Sequence, residues 1–86
     1  MASVEEVKAH VAASVDGTQR AVSGIQQATD QLDEALGRLR LTAMGSVHPT
    51  VLTAISQLEQ ARSRLDEAAT LARSAMDSAD QYRSIA

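Results

Sequence analysis

A single break near the midpoint interrupts an otherwise helical pattern. From position 44 the sequence reads Met-Gly-Ser-Val-His-Pro, which brings several residue types that end or start helices together. Gly45 can take the left-handed conformation just past a helix end, Ser46 can cap free N–H groups, and Pro49 is tolerated in a first helical turn. We therefore predict a turn at residues 44–48, where the chain reverses direction.

Apolar residues recur every seven positions on both sides of this break. The repeat runs from Val4 to Leu39 and resumes at Val51. Such spacing places the side chains along one stripe of an α-helix, here wider than a strict two-stranded coiled-coil seam. The pattern predicts an all-α fold, an antiparallel two-helix hairpin with helices at about 3–43 and 49–85.

Two local signals lie in the first arm. Ser3 and Glu6 have the spacing of a capping box, which satisfies free N–H groups at a helix start. Gly17 and Gly24 lie one heptad apart at the edge of the stripe, and each costs about 1 kcal/mol relative to alanine. These glycines either mark a strip where another helix approaches closely or are weaknesses that packing tolerates.

Alanines occupy one stripe position in succession on each arm. Small side chains let helix axes approach closely, so we predict that these alanines face each other across the hairpin. Together with the main apolar repeat they form the predicted seam. Its members are Val4, Val11, Ala21, Ile25, Ala28, Leu32, Ala35, Leu39, Val51, Ala54, Leu58, Ala61, Leu65, Ala68, Ala72 and Ala75.

A hairpin of two helices leaves one side of each stripe uncovered. The predicted uncovered residues, which form a partner face, are Val15, Val22, Leu36, Ile55, Leu71 and Met76. Contiguous exposed apolar surface indicates a binding partner. We expect a homo-oligomer, a dimer, or pairing with a related helical protein, either of which gives a four-helix bundle.

The composition bounds the function classes. Eighty-six residues make a single domain, 1–86, with no cysteine and therefore no disulfide or thiolate metal site. The net charge is −3, so the sequence does not predict the basic surface that nucleic acid requires. No apolar run is long enough for a membrane span. The first residues lack a signal-peptide pattern. We expect a cytoplasmic protein or one exported without a cleaved signal peptide.

No arrangement of residues predicts catalysis. His10 and His48 would lie roughly 50 Å apart along the hairpin, so they cannot share a metal or a proton. The acidic pairs at 33–34 and 66–67 lack the Glu-x-x-His partners of a bundle metal site. No nucleophile with a base and an oxyanion site is visible. We predict no catalytic residue, no metal and no cofactor, and we interpret His48 as a turn or capping residue.

Two short stretches resemble a known family. Ala43-Met44-Gly45 keeps the glycine of a Trp-x-Gly turn, and Tyr82 keeps the tyrosine of a C-terminal Tyr-x-x-x-Asp/Glu signal whose acidic position is Ala86 here. The chain thus resembles the WXG-motif family of type VII secretion, small actinobacterial and Gram-positive proteins that form dimeric four-helix bundles. The amino-acid usage is also similar to that of a high-GC actinobacterial proteome.

The resemblance implies a non-catalytic dimerising partner, adaptor or scaffold linked to type VII secretion, with Tyr82 in an export signal. Two other functions compete with it. One is an RNA-binding hairpin, which needs a basic face on the paired helices. The other is a helix pair lying on a membrane surface, which normally carries Lys and Arg beside aromatic anchors.

Overall fold

Two long α-helices contain nearly all of the residues that the computed structural model describes, which are 3–45 and 48–85. Helix α1 runs Val4–Gly45 over 42 residues, and helix α2 runs Pro49–Ile85 over 37 residues. Within the described residues, neither helix has a stretch apolar enough to cross a membrane.

The helices pack side by side in opposite directions. Arg40 of α1 pairs with Glu59 of α2, whereas the earlier residue Asp33 pairs with the later residue Arg62. Residue numbers therefore rise along one helix as they fall along the other. The molecule measures 63 × 20 × 15 Å. The predicted all-α two-helix hairpin is confirmed.

Each helix begins at a capping residue. The hydroxyl of Ser3 accepts a hydrogen bond from the N–H of Glu6 at 3.2 Å, as the capping-box spacing predicts. At the start of α2, Nδ1 of His48 accepts from the N–H of Thr50 at 3.1 Å. Pro49 follows His48 as the first helical residue, where its missing N–H costs no hydrogen bond. The interpretation of His48 as a capping residue is confirmed.

The turn differs from the prediction at its first two residues, Met44 and Gly45, which belong to α1. Gly45 is the last residue of α1 and no described glycine has a positive φ, so the predicted left-handed conformation is wrong. Glycine adopts helical angles as readily as left-handed ones, and α1 therefore extends two residues beyond its predicted end. The predicted cap at Ser46 lies outside the described residues.

Each helix buries one stripe of residues against the other helix. Successive residues of the stripe are alternately three and four positions apart in the sequence. Among the described residues only Leu36, Ala69 and Thr29 are buried, and Leu36 is the most enclosed at 1% exposure. Half-buried residues continue the stripe in both directions. We call this set the seam: residues 11, 15, 18, 22, 25, 29, 32, 36, 39 and 43 of α1 and residues 51, 55, 58, 62, 65, 69, 72, 76 and 79 of α2.

The predicted division of the stripe is wrong at several positions. Leu36, predicted to be uncovered, is the most buried of the residues that the structure describes, and Val15, Val22, Ile55 and Met76 are half-buried in the seam. Burying Leu, Val, Ile or Met removes more apolar area from water than burying alanine, so the larger residues take the seam.

The predicted alanine contacts change accordingly. Ala21, Ala68 and Ala75 are exposed, Val4 is 54% exposed near the open end, and the alanines at 28, 35, 54 and 61 are half-buried beside the seam. The remaining members of the predicted seam do lie in it. They are Val11, Ile25, Leu32, Leu39, Val51, Leu58, Leu65 and Ala72.

Two glycines provide a test of helix stability. A Cβ placed on Gly24 or on Gly37 would have no heavy atom within 4 Å outside its own helix backbone. We expect Gly24→Ala and Gly37→Ala each to raise the free energy of unfolding by about 1 kcal/mol, because alanine is the better helix former. Urea unfolding followed by circular dichroism measures both. If Gly24→Ala destabilised the protein while Gly37→Ala did not, the finding of open space around Gly24 would be contradicted.

Candidate interaction surface

Ion pairs mark one side of the seam. Nη2 of Arg40 lies 3.2 Å from Oε1 of Glu59 across the hairpin. Arg62 donates from Nε and Nη2 to the two carboxylate oxygens of Asp33, and its Nη1 donates to Oδ2 of Asp66 at 3.0 Å. The hydrogen bond to Asp33 raises the pKa of Arg62 above its ordinary value. The guanidinium thus bridges the two helices.

These residues recur at one heptad position of each helix. We define the charged flank as residues 5, 12, 19, 26, 33 and 40 of α1 together with residues 52, 59, 66, 73 and 80 of α2. Arg62 itself occupies a seam position, and its side chain leaves the seam toward this flank. An open groove here is lined by Asp33, Arg40, Glu59 and Arg62, among other residues.

The opposite side of the seam has a different chemistry. A second heptad position of each helix borders the seam on the side opposite the charged flank. Residues at this position of α1 and α2 lie next to each other there. We define them as the alanine flank: Val7, Ser14, Ala21, Ala28, Ala35, Ala54, Ala61, Ala68, Ala75 and Tyr82. None of these residues carries a formal charge, and Ala21, Ala68 and Ala75 are exposed.

Larger apolar side chains border the alanine flank on α2. Leu71 lies three residues after Ala68 and four before Ala75, which places it on the neighbouring face of the same helix. It is 73% exposed, and Tyr82 at the end of the flank is 37% exposed. The alanines therefore form a flat strip with a protruding leucine beside it.

The hairpin exposes more surface than a compact protein of its size. Its accessible area is 6258 Å² for 9.1 kDa, whereas a compact monomer of that mass exposes about 4,900 Å². Its radius of gyration is 19.2 Å, against about 12 Å for a compact domain of the same length. The excess of about 1,400 Å² measures how far two helices fall short of enclosing a core.

The residues considered for chemistry remain apart. Both histidines are exposed, and Nδ1 of His48 is engaged in the helix cap. In the two described ranges, no three His, Asp or Glu side chains come close enough together to hold a metal ion. The polar groups that do converge are Arg62, Asp33 and Asp66, which satisfy one another across the hairpin.

Sequence reasoning missed the role of Arg62. An available signal was the recurrence of charged residues at one heptad position of each arm, Asp33 and Arg40 on one arm and Glu59 and Asp66 on the other. That pattern is typical of a flank that borders a helix–helix seam. It would have separated the charged side of the seam from the alanine side.

Comparison of the chain with protein-family models, with curated proteins and with solved structures finds no match. The resemblance to the WXG-motif family therefore stays a prediction that rests on Gly45 and Tyr82. Gly45 closes α1, and Tyr82 lies in the last turn of α2.

Leu36 offers the sharpest test of the seam. We expect Leu36→Ala to lower the free energy of unfolding by about 2–5 kcal/mol, because it removes apolar contacts and leaves a cavity. Leu41→Ala is the matched control, since Leu41 is 71% exposed and its truncation should change stability by less than about 0.5 kcal/mol. Urea unfolding of both variants at one protein concentration provides the comparison. Equal effects would contradict the seam.

Proposed function

We propose that the protein is a non-catalytic assembly protein, a dimerising partner or scaffold, whose alanine flank packs against the same flank of a second copy. Two hairpins joined in this way form a four-helix bundle. The observation that carries the proposal is the large exposed area of the hairpin together with a flank that has no charge along its length.

The area is of the size that one partner can cover. A stable protein–protein interface of standard size buries about 800 Å² on each partner. The hairpin exposes about 1,400 Å² more than a compact monomer does, so one interface accounts for more than half of the excess. A second copy offers the same uncharged strip over the same length, and a twofold interface requires such a patch because it joins one surface to itself.

The chemistry of the two flanks favours one orientation. Packing through the alanine flank leaves Arg40, Arg62 and their carboxylate partners in water, where charged groups are stable. Packing through the charged flank would instead remove these groups from water. Small side chains at 21, 28, 61 and 68 also let the helix axes approach toward the lower end of the usual 8–10 Å spacing.

The pathway in which such a bundle acts is the second part of the proposal. The resemblance at Gly45 and Tyr82 supports an adaptor or scaffold linked to type VII secretion. In that setting a homodimer of this chain, or a mixed bundle with a related hairpin, would present its charged flanks to further proteins.

The test is the solution mass of two variants that add the same charge to the two flanks. Ala21→Glu puts a carboxylate on the alanine flank, and Gln19→Glu puts one two residues away on the charged flank. Both positions are exposed in the hairpin, so neither change disturbs the seam. We expect a dimer for the wild type and for Gln19→Glu, and at least about a tenfold weaker dimer for Ala21→Glu, because a buried unpaired charge is costly.

Light scattering over a dilution series measures the masses, and circular dichroism confirms that each variant stays helical. A helical wild type that remains monomeric throughout the series would contradict self-association. Dimers of equal strength for the two variants would contradict the alanine flank as the interface.

A further inference from the structure

A further heptad position of each helix borders the alanine flank on its outer side. We define this outer rim as the residues that follow the flank residues by three positions. Its members are His10, Gly17, Gly24, Gln31 and Arg38 of α1 and Gln57, Arg64, Leu71, Ser78 and Ile85 of α2. Residues three apart are neighbours on a helix surface, so a partner that covers the alanine flank also meets the outer rim.

The outer rim has a different shape on each helix. On α2 it carries Leu71, which is 73% exposed. On α1 it carries Gly24, where an added Cβ would have no heavy atom within 4 Å outside its own helix backbone. We call the surface formed by Ala21, Gly24 and Ala28 the hollow, because no side chain there is larger than a methyl group. One helix thus has a projecting apolar side chain, and the other has space for one.

The cross-helix ion pairs show that the two features lie at the same height along the hairpin. Counted from the pair between Asp33 and Arg62, Leu71 lies level with Gly24, nine residues along each helix. Counted from the other cross-helix pair, Leu71 lies level with residue 28. Leu71 is therefore at the height of the hollow, on the opposite edge of the same side of the molecule.

A second copy of the chain can bring these two features together. Within one hairpin Leu71 is exposed and the space at Gly24 is open, because the seam and the alanine flank lie between the two edges. In a twofold bundle whose axis runs parallel to the helices, every residue keeps its height, and α1 of one copy packs beside α2 of the other. Leu71 of each copy then lies over the hollow of the other copy, so the contact occurs twice.

The other twofold arrangement of two hairpins turns one copy end over end. It packs α1 against α1 and α2 against α2. Leu71 then faces the outer rim of α2, which has no glycine, and the hollow faces the outer rim of α1, which has no large apolar residue. Closely packed helices place a projecting side chain in a hole of the facing helix. The shapes of the two rims therefore favour the axis parallel to the helices.

The charges of the outer rim fit the same arrangement. The rim contains two arginines and no carboxylate. Arg38 already pairs with Glu34 of its own helix at 2.9 Å. By the two counts used above, Arg64 lies level with residues 31–35 of the other copy, where the amide of Gln31 offers an acceptor.

We propose that two copies of this chain pack about a twofold axis parallel to their helices, with Leu71 of each copy seated in the hollow at Gly24 of the other. This inference rests on the proposed function, which supplies the dimer through the alanine flank. It adds the orientation of the second copy and the side chain that fixes it.

Truncation of the leucine gives the first test. Leu71→Ala should weaken the dimer at least about tenfold, because each dimer loses the burial of two leucine side chains. Leu41→Ala is the matched control. Leu41 is 71% exposed and shares its heptad position with Arg20 and Glu34, on the face of α1 that points away from the seam. It should leave the dissociation constant unchanged. Light scattering over a dilution series measures both variants.

Filling the hollow gives the second test. Gly24→Leu occupies the space that Leu71 needs, and we expect it to weaken the dimer at least about tenfold. Gly37→Leu adds the same side chain beside the charged flank and should leave the dimer unchanged. Both positions have open space in the hairpin, and leucine forms helix better than glycine at either. Circular dichroism should therefore show both variants to be helical.

The outcomes separate this inference from the proposed function. Equal dissociation constants for the two leucine variants, or for the two glycine variants, would overturn this inference while the dimer stands. A helical wild type that remains monomeric throughout the dilution series would overturn the proposed function and this inference with it.

The sequence has no cysteine, so single thiols report the orientation directly. Gly24→Cys with an affinity tag is mixed with untagged Leu71→Cys, allowed to exchange and then oxidised. A disulfide requires Cα atoms within about 7 Å of each other. We expect the mixed disulfide to form at least about tenfold faster than either variant links to itself, because like helices lie diagonally in this bundle. Self-linkage as fast as mixed linkage, or no mixed disulfide in a dimer, would overturn the inference.

Discussion

Two helices can cover only one stripe of each other, and the rest of this structure depends on that limit. A residue in the seam touches a single neighbouring helix, so most seam residues are half-buried, and among the described residues only Leu36, Ala69 and Thr29 are enclosed. The ordering of each residue costs about 1–2 kcal/mol of conformational entropy, which buried apolar surface has to offset. A partner that covers a second stripe would add burial without ordering many more residues. The large exposed area therefore results from the small core, and the uncharged alanine flank is the surface that a partner could cover.

The sequence predicts the architecture better than the assignment of its faces. The turn residues around Gly45 and Pro49 divide the chain, and the seven-residue repeat predicts both helices. The repeat cannot say which of two adjacent apolar stripes becomes the seam, because both recur with the same period. Size decides between them: Leu36 and Val22 remove more apolar surface from water than Ala35 and Ala21 do, so the larger residues face inward. Arg62 was harder to place, because an arginine at a seam position contradicts the apolar pattern until its cross-helix partner Asp33 is known.

Three surfaces with separate chemistry result from this arrangement. On the charged flank, Arg62 donates hydrogen bonds to two carboxylates that face each other across the seam. The alanine flank presents no charge and little relief, as close helix packing requires. Near the closed end, Leu41, Met44 and Leu52 are exposed apolar side chains.

The short connection between Gly45 and Pro49 also has an electrostatic consequence. The carbonyl end of α1 and the N–H end of α2 lie side by side at the closed end, and their macrodipoles carry about −0.5 and +0.5 of an elementary charge there. These partial charges offset each other, in addition to the cap that Nδ1 of His48 provides at the start of α2. The outer ends of the helices carry complementary charges instead, with Glu5 and Glu6 in the first turn of α1 and Arg83 in the last turn of α2. Because the two helix ends partly cancel there, the closed end needs no charged side chain to balance them, and residues 41–58 contain none.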